Sequence, residues 1–524
     1  MKKRLVAVLC VISMLVMTIL AGCSQKSSEE NADDSSNAEE VAESVMNIPI
    51  QEIPASMVPR NESDSNLLIF QALFDPLWFQ SADEIDYYLA KEATVSDDGL
   101  QYTITLNDGM TWSDGEAITT EDVAFTIDYY QTIQPSAPSV ILSGYTYEIV
   151  DDQTIVLTRE EYAGGFLTEF GKVRLIPKHF FDGDVNAVEG NEKLQSVDLV
   201  SSGPYTITEW NAGESLVCTA RDDYYRGKAS IETLNMIVMP DTNTQLAAFE
   251  NGEISYIEVT DGETLAKYDG NDDYNVYSFP AGKILYLQVN PDNELFANED
   301  AKKAISLTLD REEIAKTATG SDKIAVPTSN IFASTQTYYS DIDPYEHDVE
   351  KAKELAEQSG LTEIPLTLIY NNERAYQEQA AVAIQQELEA IGLTVEVEGY
   401  DYSTYYSKVF GRMYGTIDEE WTLAVNHCTD LVGERSSSQQ SMLAWGVTGA
   451  SDETIAMVQA ACSELDESKK VEMFKEFQEA LRDENCTMPF METNEVLVSQ
   501  KNVTGLDAVK RFPIFADYTK LNVE

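Results

Sequence analysis

Hydrophobic and polar residues follow two periodicities from about residue 48 onward. Tyr102–Leu106 alternates between apolar and polar side chains, which is typical of a strand with one buried face. Thr119–Gln131 has apolar residues at helical spacing, and Thr119 with Asp122 forms a capping-box-like start. The chain is therefore predicted to mix helices and strands.

A strand–helix–strand unit is predicted over residues 365–398. Glu373–Ile391 has the clearest helical pattern, and Gly392 is placed to end that helix. Thr394–Glu398 then alternates as a strand. Such units predict an α/β fold in which helices pack on sheets.

Further elements follow the same patterns. Ile149–Val156 is predicted to form two short strands around a turn, and Asn290–Ile314 to contain a helix followed by a capping signal at Asp310. Lys470–Asp483 is predicted to be a helix with an apolar stripe. That stripe consists of Val471, Phe474, Phe477 and Leu481.

The first 25 residues have the composition of an export signal. Basic residues precede Leu5–Leu20, an uncharged run of 16 residues that is short for a membrane span. Leu20-Ala21-Gly22-Cys23 resembles a bacterial lipobox. We predict a lipoprotein signal peptide over 1–22 and lipidation of Cys23; the alternative is an ordinary signal peptide with a coincidental cysteine.

Residues 23–47 are predicted to be an acidic, flexible tether. They are rich in Asp, Glu, Ser and Asn, and no aromatic residue occurs before Phe70. Such a stretch cannot bury enough apolar area to offset its ordering entropy. We expect a module that is lipid-anchored to the cell membrane, in the periplasmic space or on the outer face of the cytoplasmic membrane.

Charge narrows the possible partners. The 524 residues include 35 Lys+Arg and 91 Asp+Glu, a formal net charge of −56. A nucleic-acid binder needs a basic footprint, so that class is disfavoured. The hydrophobic share of 43% is too high for wholesale disorder.

No motif supports a specific reaction. The sequence has no nucleophile elbow, no P-loop, no dinucleotide fingerprint and no zinc-protease motif. Its 3 histidines are far apart in sequence. We therefore expect a protein that is not an enzyme and has no cofactor and no resident metal. The pairing of the exported cysteines stays open.

Several segments, in a fixed order, are similar to the solute-binding proteins of ABC importers, family 5, the class that includes oligopeptide- and dipeptide-binding proteins. Each segment alone is weak, and the ordered set spans most of the chain. The segments are Leu89-Ala90-Lys91-Glu92, Asp97-Asp98-Gly99-Leu100, 102–115, 119–130, Ile176-Pro177-Lys178-His179, Ser202-Gly203-Pro204-Tyr205, Tyr224-Tyr225-Arg226-Gly227-Lys228, 247–254 and 301–314.

The resemblance implies a two-lobed, periplasmic-binding-protein-like α/β fold of type II, the large class with an extra subdomain. Lobe I would comprise 48–285 and 497–524, with an inserted subdomain at about 66–194. Lobe II would span 286–496. The two crossovers between the lobes would act as a hinge over a ligand cleft.

The resemblance also implies a ligand site in lobe II. Peptide-binding members use a carboxylate there to pair with the α-ammonium group of the peptide, and His427-Cys428-Thr429-Asp430 occupies that stretch. Asp430 is the expected partner of the α-ammonium group. The alternative is that Asp430 is an ordinary acidic residue in a loop. A second possibility is that His427 and Cys428 contact a bound metal complex.

Aromatic residues nearby are further candidates for contacts with the ligand. Tyr402, Tyr405 and Trp421 could cover apolar side chains or stack on sugars, and packing in the core is the alternative. Trp112 is assigned a structural role.

The function implied by the resemblance is an extracytoplasmic, monomeric solute-binding lipoprotein that delivers peptides to the membrane permease subunits of an ABC importer. One alternative is the same fold binding an oligosaccharide or a nickel or other metal chelate. Alternatives of other classes are a surface lipoprotein hydrolase and an adhesive module.

Overall fold

The computed structural model describes residues 44–59, 64–80, 85–133, 137–162, 166–336, 338–411, 416, 418, 420–429, 449–508 and 517–524. Cys23 and most of the predicted tether lie outside these residues. β-strand 1 begins at Val45, so residues 45–47, assigned above to the tether, belong to a sheet.

The strands, in chain order, are β1 (Val45–Ile50), β2 (Trp78–Gln80), β3 (Ile85–Tyr87), β4 (Ala90–Val95), β5 (Gln101–Leu106), β6 (Thr146–Ile149), β7 (Thr154–Thr158), β8 (Tyr205–Asn211), β9 (Ser215–Ala220), β10 (Thr233–Val238), β11 (Tyr256–Glu258), β12 (Tyr274–Val289), β13 (Ala325–Pro327), β14 (Leu366–Asn371), β15 (Val395–Tyr400), β16 (Leu423–Thr429), β17 (Thr487–Gln500), β18 (Val503–Thr504) and β19 (Asn522–Val523).

The α-helices are α1 (Asp64–Leu73), α2 (Thr120–Thr132), α3 (Ala137–Ile141), α4 (Phe166–Glu169), α5 (Thr242–Glu250), α6 (Gly262–Leu265), α7 (Glu299–Thr308), α8 (Arg311–Thr319), α9 (Val349–Ser359), α10 (Ala375–Ala390), α11 (Tyr402–Phe410), α12 (Asp452–Ser463) and α13 (Glu467–Glu484). Among the described residues, no helix is both long enough and apolar enough to span a bilayer.

Buried apolar side chains in the described part of the chain form two large clusters. The first core lies around the sheets β1-β10-β9-β8 and β4-β5-β7-β6, and it includes Trp78, Trp112 and Tyr205. The second core lies on the largest described sheet, β11-β17-β12-β16-β14-β15, to which β13 is added by pairing with β17. Two cores separate the chain into two lobes.

Asp122 ties the start of α2 to two distant segments. Its carboxylate accepts hydrogen bonds from the backbone N–H of Thr119 at 3.0 Å, the backbone N–H of Lys178 at 2.8 Å and the indole N–H of Trp112 at 3.3 Å. Thr119 completes the predicted capping box, and Trp112 is fully buried. The structural role predicted for Trp112 agrees with this geometry.

The predicted strand–helix–strand unit is confirmed. β14 and β15 are parallel neighbours, and α10 connects them across one face of the sheet. Ala380, Ile384 and Leu388 lie on one buried face of α10, and Gly392 follows the helix with φ +93°.

The predicted apolar stripe of α13 is wrong at one position. Phe474, Phe477 and Leu481 are buried, but Val471 is 45% exposed and Lys470 is only 2% exposed. The buried face therefore begins one residue earlier, because Lys470 and Phe474 lie on the same side of the helix at i, i+4 spacing. The reason is a contact that Lys470 makes with the other lobe, described below.

β12 and β17 are the strands that pass from one core to the other. They pair antiparallel from Tyr274↔Gln500 to Gln288↔Thr487. At one end, Leu497 belongs to the first core; at the other, Ile284 belongs to the second. A shift in register separates Pro280 from Lys283, and Gly282 within it has φ +67°, which only glycine adopts without strain.

The cysteines whose pairing was left open form no disulfide within the part of the chain that the structure describes. They are Cys218, Cys428, Cys462 and Cys486.

Asp75 provides a test of the first core through its pH dependence. It is 3% exposed, accepts a hydrogen bond from the Tyr224 hydroxyl at 2.7 Å, and burial raises its pKa from 3.8 to about 7. Between these pH values the folded chain holds a proton that the unfolded chain has released, so stability falls as pH rises from about 4 to about 7.

Asp75→Asn cannot ionise, and it should lose this part of the pH dependence. Denaturant unfolding of both proteins at pH 4 and pH 8 measures the difference. We expect the variant to gain stability relative to the parent chain at pH 8; parallel curves at the two pH values would contradict the assignment.

Candidate functional site

The end of β16 lies at the centre of the second lobe's sheet. β16 pairs antiparallel with β12, where Lys283 faces Thr429 and Leu285 faces His427. Alternation of side chains along strands places Lys283 and His427 on the same face, as diagonal neighbours. Asp430, the predicted partner of an ammonium group, comes directly after β16 and lies outside the described residues.

His427 is half-buried beside α10. Its ring Nδ1 lies 3.3 Å from the Gln377 amide nitrogen, and its backbone N–H donates to Asn426 Oδ1 at 2.8 Å. Burial, together with the positive charges of Arg374 and Lys283, holds the pKa of His427 well below its ordinary value of 6.5. Both effects favour the neutral form of the imidazole.

Arg374 brings a second cation to this place. It precedes α10 as the N-cap residue, is half-buried, and donates from its guanidinium to the Tyr376 hydroxyl at 2.9 Å. The partial positive charge of the α10 N-terminus adds to its own. Arg374 and Lys283 therefore place two cations near His427.

Sequence reasoning missed Arg374 and Lys283. One signal was present: a cation at the N-terminus of the most clearly predicted helix opposes the helix dipole, and such a placement costs stability unless a ligand or partner uses it. Lys283 gave no local signal, because only the pairing of β12 with β16 brings it to His427.

The aromatic candidates do not form one group. Tyr405, on α11, and Trp421 are each 3% exposed, and both belong to a small buried cluster with Ile369 and Ala424. The Tyr405 hydroxyl donates to the Val425 carbonyl at 2.7 Å.

The residues on either side of Ile369 and Ala424 belong to the second core, on the α10 face. Tyr405 and Trp421 therefore lie across the sheet from His427. Packing accounts for both side chains.

Tyr402 is 46% exposed at the start of α11. Its backbone N–H donates to Glu373 Oε1 at 3.2 Å, which places it near the start of α10. Ligand contact stays a prediction for His427, Asp430 and the three aromatic residues.

Metal ligation has no support among the described residues, where no group of three or more His, Cys, Asp and Glu side chains is arranged to hold an ion.

Comparison with known proteins identifies the family. The family described as "Bacterial extracellular solute-binding proteins, family 5 Middle" matches residues 84–439. The chain belongs to this family. It is an ABC-transporter substrate-binding protein with the two-lobed α/β fold predicted from the sequence.

Relatives at low identity support the same assignment. The chain is 26% identical over 438 residues to the oligopeptide-binding protein AppA of Bacillus subtilis, covering 77% of this chain and 78% of that protein. It is 24% identical over 544 residues to OppA of the same organism, covering 94% and 95%. The crystal structure of the substrate-binding protein CtaP from Listeria monocytogenes superposes with a TM-score of 0.83 at 27% identity, covering 91% of this chain and 99% of that one.

The electrostatics of His427 can be measured directly, because the chain has only 3 histidines. We expect its ring to stay neutral as pH falls through 6.5, and Arg374→Gln to raise its pKa by removing a nearby positive charge. Imidazole ¹³C chemical shifts followed against pH give the value, and His427→Gln assigns the signal.

Lys475→Gln, which removes an exposed cation on α13, serves as the control and should leave the signal of His427 in place. A His427 ring that titrates at its ordinary value, or one whose pKa does not respond to Arg374→Gln, would show that the two cations do not act on it.

Proposed function

We propose that the protein is a lipid-anchored receptor that binds peptides between its lobes and delivers them to the permease of an ABC importer. The observation that carries the proposal is the position of two cations near His427 in an acidic family-5 protein: Arg374 at the start of α10 and Lys283 on β12. Relatives named for oligopeptide binding support the class of ligand.

A peptide carries charges of both signs, and the proposed site offers both. Asp430 would pair with the α-ammonium group, as the family resemblance implies. Arg374 and Lys283 would donate hydrogen bonds to the carboxylate group of the peptide. Charge-assisted hydrogen bonds of this kind are the strong ones, and a lost partner leaves an uncompensated charge.

Closure over the peptide would use the two strands that connect the lobes. Lobe I would comprise 48–285 and 497–524, and lobe II 286–496. Gly282 and the register shift beside it interrupt the ladder between β12 and β17 at the transition between the two cores, which is where bending costs least.

The anchor completes the proposal. Lipid on Cys23 and the tether behind it would hold the lobes outside the cytoplasmic membrane, near the permease. Binding and release would then be the whole activity, with no chemical step.

Peptides with blocked ends separate the two charged partners. A free tetrapeptide at 100 times its dissociation constant should stabilise the full chain by about 2.7 kcal/mol. Asp430→Ala should weaken binding of the free peptide and should bind free and N-acetylated peptide with equal affinity. Arg374→Gln should instead bind free and C-amidated peptide with equal affinity. Calorimetry with the free and the blocked peptide measures the two affinities for each variant.

Glu396→Ala, an exposed acid on β15, is the control and should bind as the parent chain does. If Asp430→Ala and Arg374→Gln both distinguish free from blocked peptides as the parent chain does, the proposed site is refuted. The hydrolase alternative would be favoured by two results together. The melting temperature would not change with peptides, oligosaccharides or metal chelates, and the protein would hydrolyse a peptide or glycan substrate.

Lipidation has its own test. Cys23→Ser should leave the protein without a lipid adduct and release it from the membrane fraction of a bacterial host, because one polar side chain replaces the anchor. Mass spectrometry of the N-terminal peptide and fractionation follow the change. An unlipidated parent chain cleaved elsewhere would point to an ordinary signal peptide.

A further inference from the structure

Lys470 of α13 makes a long-range contact with Tyr162, which follows β7. The ammonium group donates to the Tyr162 hydroxyl at 2.9 Å and lies 5.2 Å from the centre of the tyrosine ring. Lys470 is 2% exposed, so its ammonium group is shielded from water at this contact.

A second pair of residues meets beside it. Gly99, in the turn between β4 and β5, has φ +70°, and a Cβ atom there would lie 2.6 Å from Tyr162 Cδ2 and 2.8 Å from Leu465 Cδ2. Leu465 lies between α12 and α13. Glycine is therefore required for the close approach as well as for the turn.

The two sides of this contact belong to different cores. Tyr102 and Leu157, on β5 and β7, are part of the first core. Phe474 and Phe477, on α13, are part of the second. The contact thus joins the lobes at a place separate from the paired strands β12 and β17.

The two connections differ physically. The paired strands join the lobes through backbone hydrogen bonds on both sides of the register shift at Gly282. Lys470 and Leu465 reach Tyr162 and the turn at Gly99 through their side chains, so this contact can separate without unfolding either lobe. Both lobes are acidic, and their mutual repulsion favours separation.

We propose that this contact is a latch that stabilises the closed arrangement of the lobes and thereby sets ligand affinity. Lys470, Leu465 and Tyr162 act as positioning residues that need not touch the ligand. The inference rests on the proposed solute-binding function. Apparent affinity falls in proportion to the fraction of molecules in the binding-competent state, so losing the latch weakens binding without altering a ligand contact.

The test measures the lobe separation in the absence of ligand. Dyes are attached through unnatural amino acids at the exposed positions 148, on β6, and 476, on α13, of the full chain. Energy transfer between them reports the distance. Lys470→Ala and Leu465→Ala should both lengthen it, and Lys470→Arg, which keeps a cation and a donor, should restore it.

Affinity for tetraalanine is the second measurement. Lys470→Ala should weaken it by about 2- to 30-fold, the range expected for loss of a cation–π contact. Saturating tetraalanine should return the dyes to the closed distance in every variant. Lys475→Ala, an exposed lysine on the same helix, should change neither measurement.

The outcomes separate the latch from the function. An unchanged dye distance in folded Lys470→Ala and Leu465→Ala would overturn the latch, and a lower melting temperature alone would mark the contact as structural. Failure of the parent chain to bind tetraalanine would count against peptide binding, while the ligand-free distances would still decide the latch.

Discussion

The pairing of β12 with β17 is the constraint on which the rest of the structure depends. These strands have 16 and 14 residues, long enough to serve both cores. β11 and β13 pair with β17, and β16 pairs with β12, so the position of each follows from this ladder. The candidate site inherits its geometry from it, because the register of β12 against β16 sets Lys283 beside His427.

Charge is distributed unevenly on this framework. The chain as a whole is strongly acidic, and its field favours cations. Arg374 and Lys283 lie near the end of β16, and their positive charges add to burial, the larger cause, in lowering the pKa of His427. The net charge does not show where these two cations lie, because the fold brings them together from separate parts of the chain.

Local features were predictable because they depend on neighbours in sequence. The capping box at Thr119 and the helix ending at Gly392 involve residues three or four positions apart, and both are present. One position of the α13 stripe was wrong, because Lys470 rather than Val471 is buried. Its contact with Tyr162, far away in the sequence, cannot be read from the local pattern. The aromatic residues between Tyr402 and Trp421 cluster in sequence, yet strand alternation places the buried ones across the sheet from His427.

The sequence by itself determined the α/β class, the family resemblance and the positions of several helices and strands, and it predicts an export signal. It did so because periodicity and capping are properties of short stretches. Tertiary structure alone decided that Lys283 and Arg374 meet at His427, that Trp112 is anchored by Asp122, and that Lys470 reaches the other lobe. Periodicity tells which face of an element is apolar; which faces then meet is settled by strand order and packing over long separations in the chain.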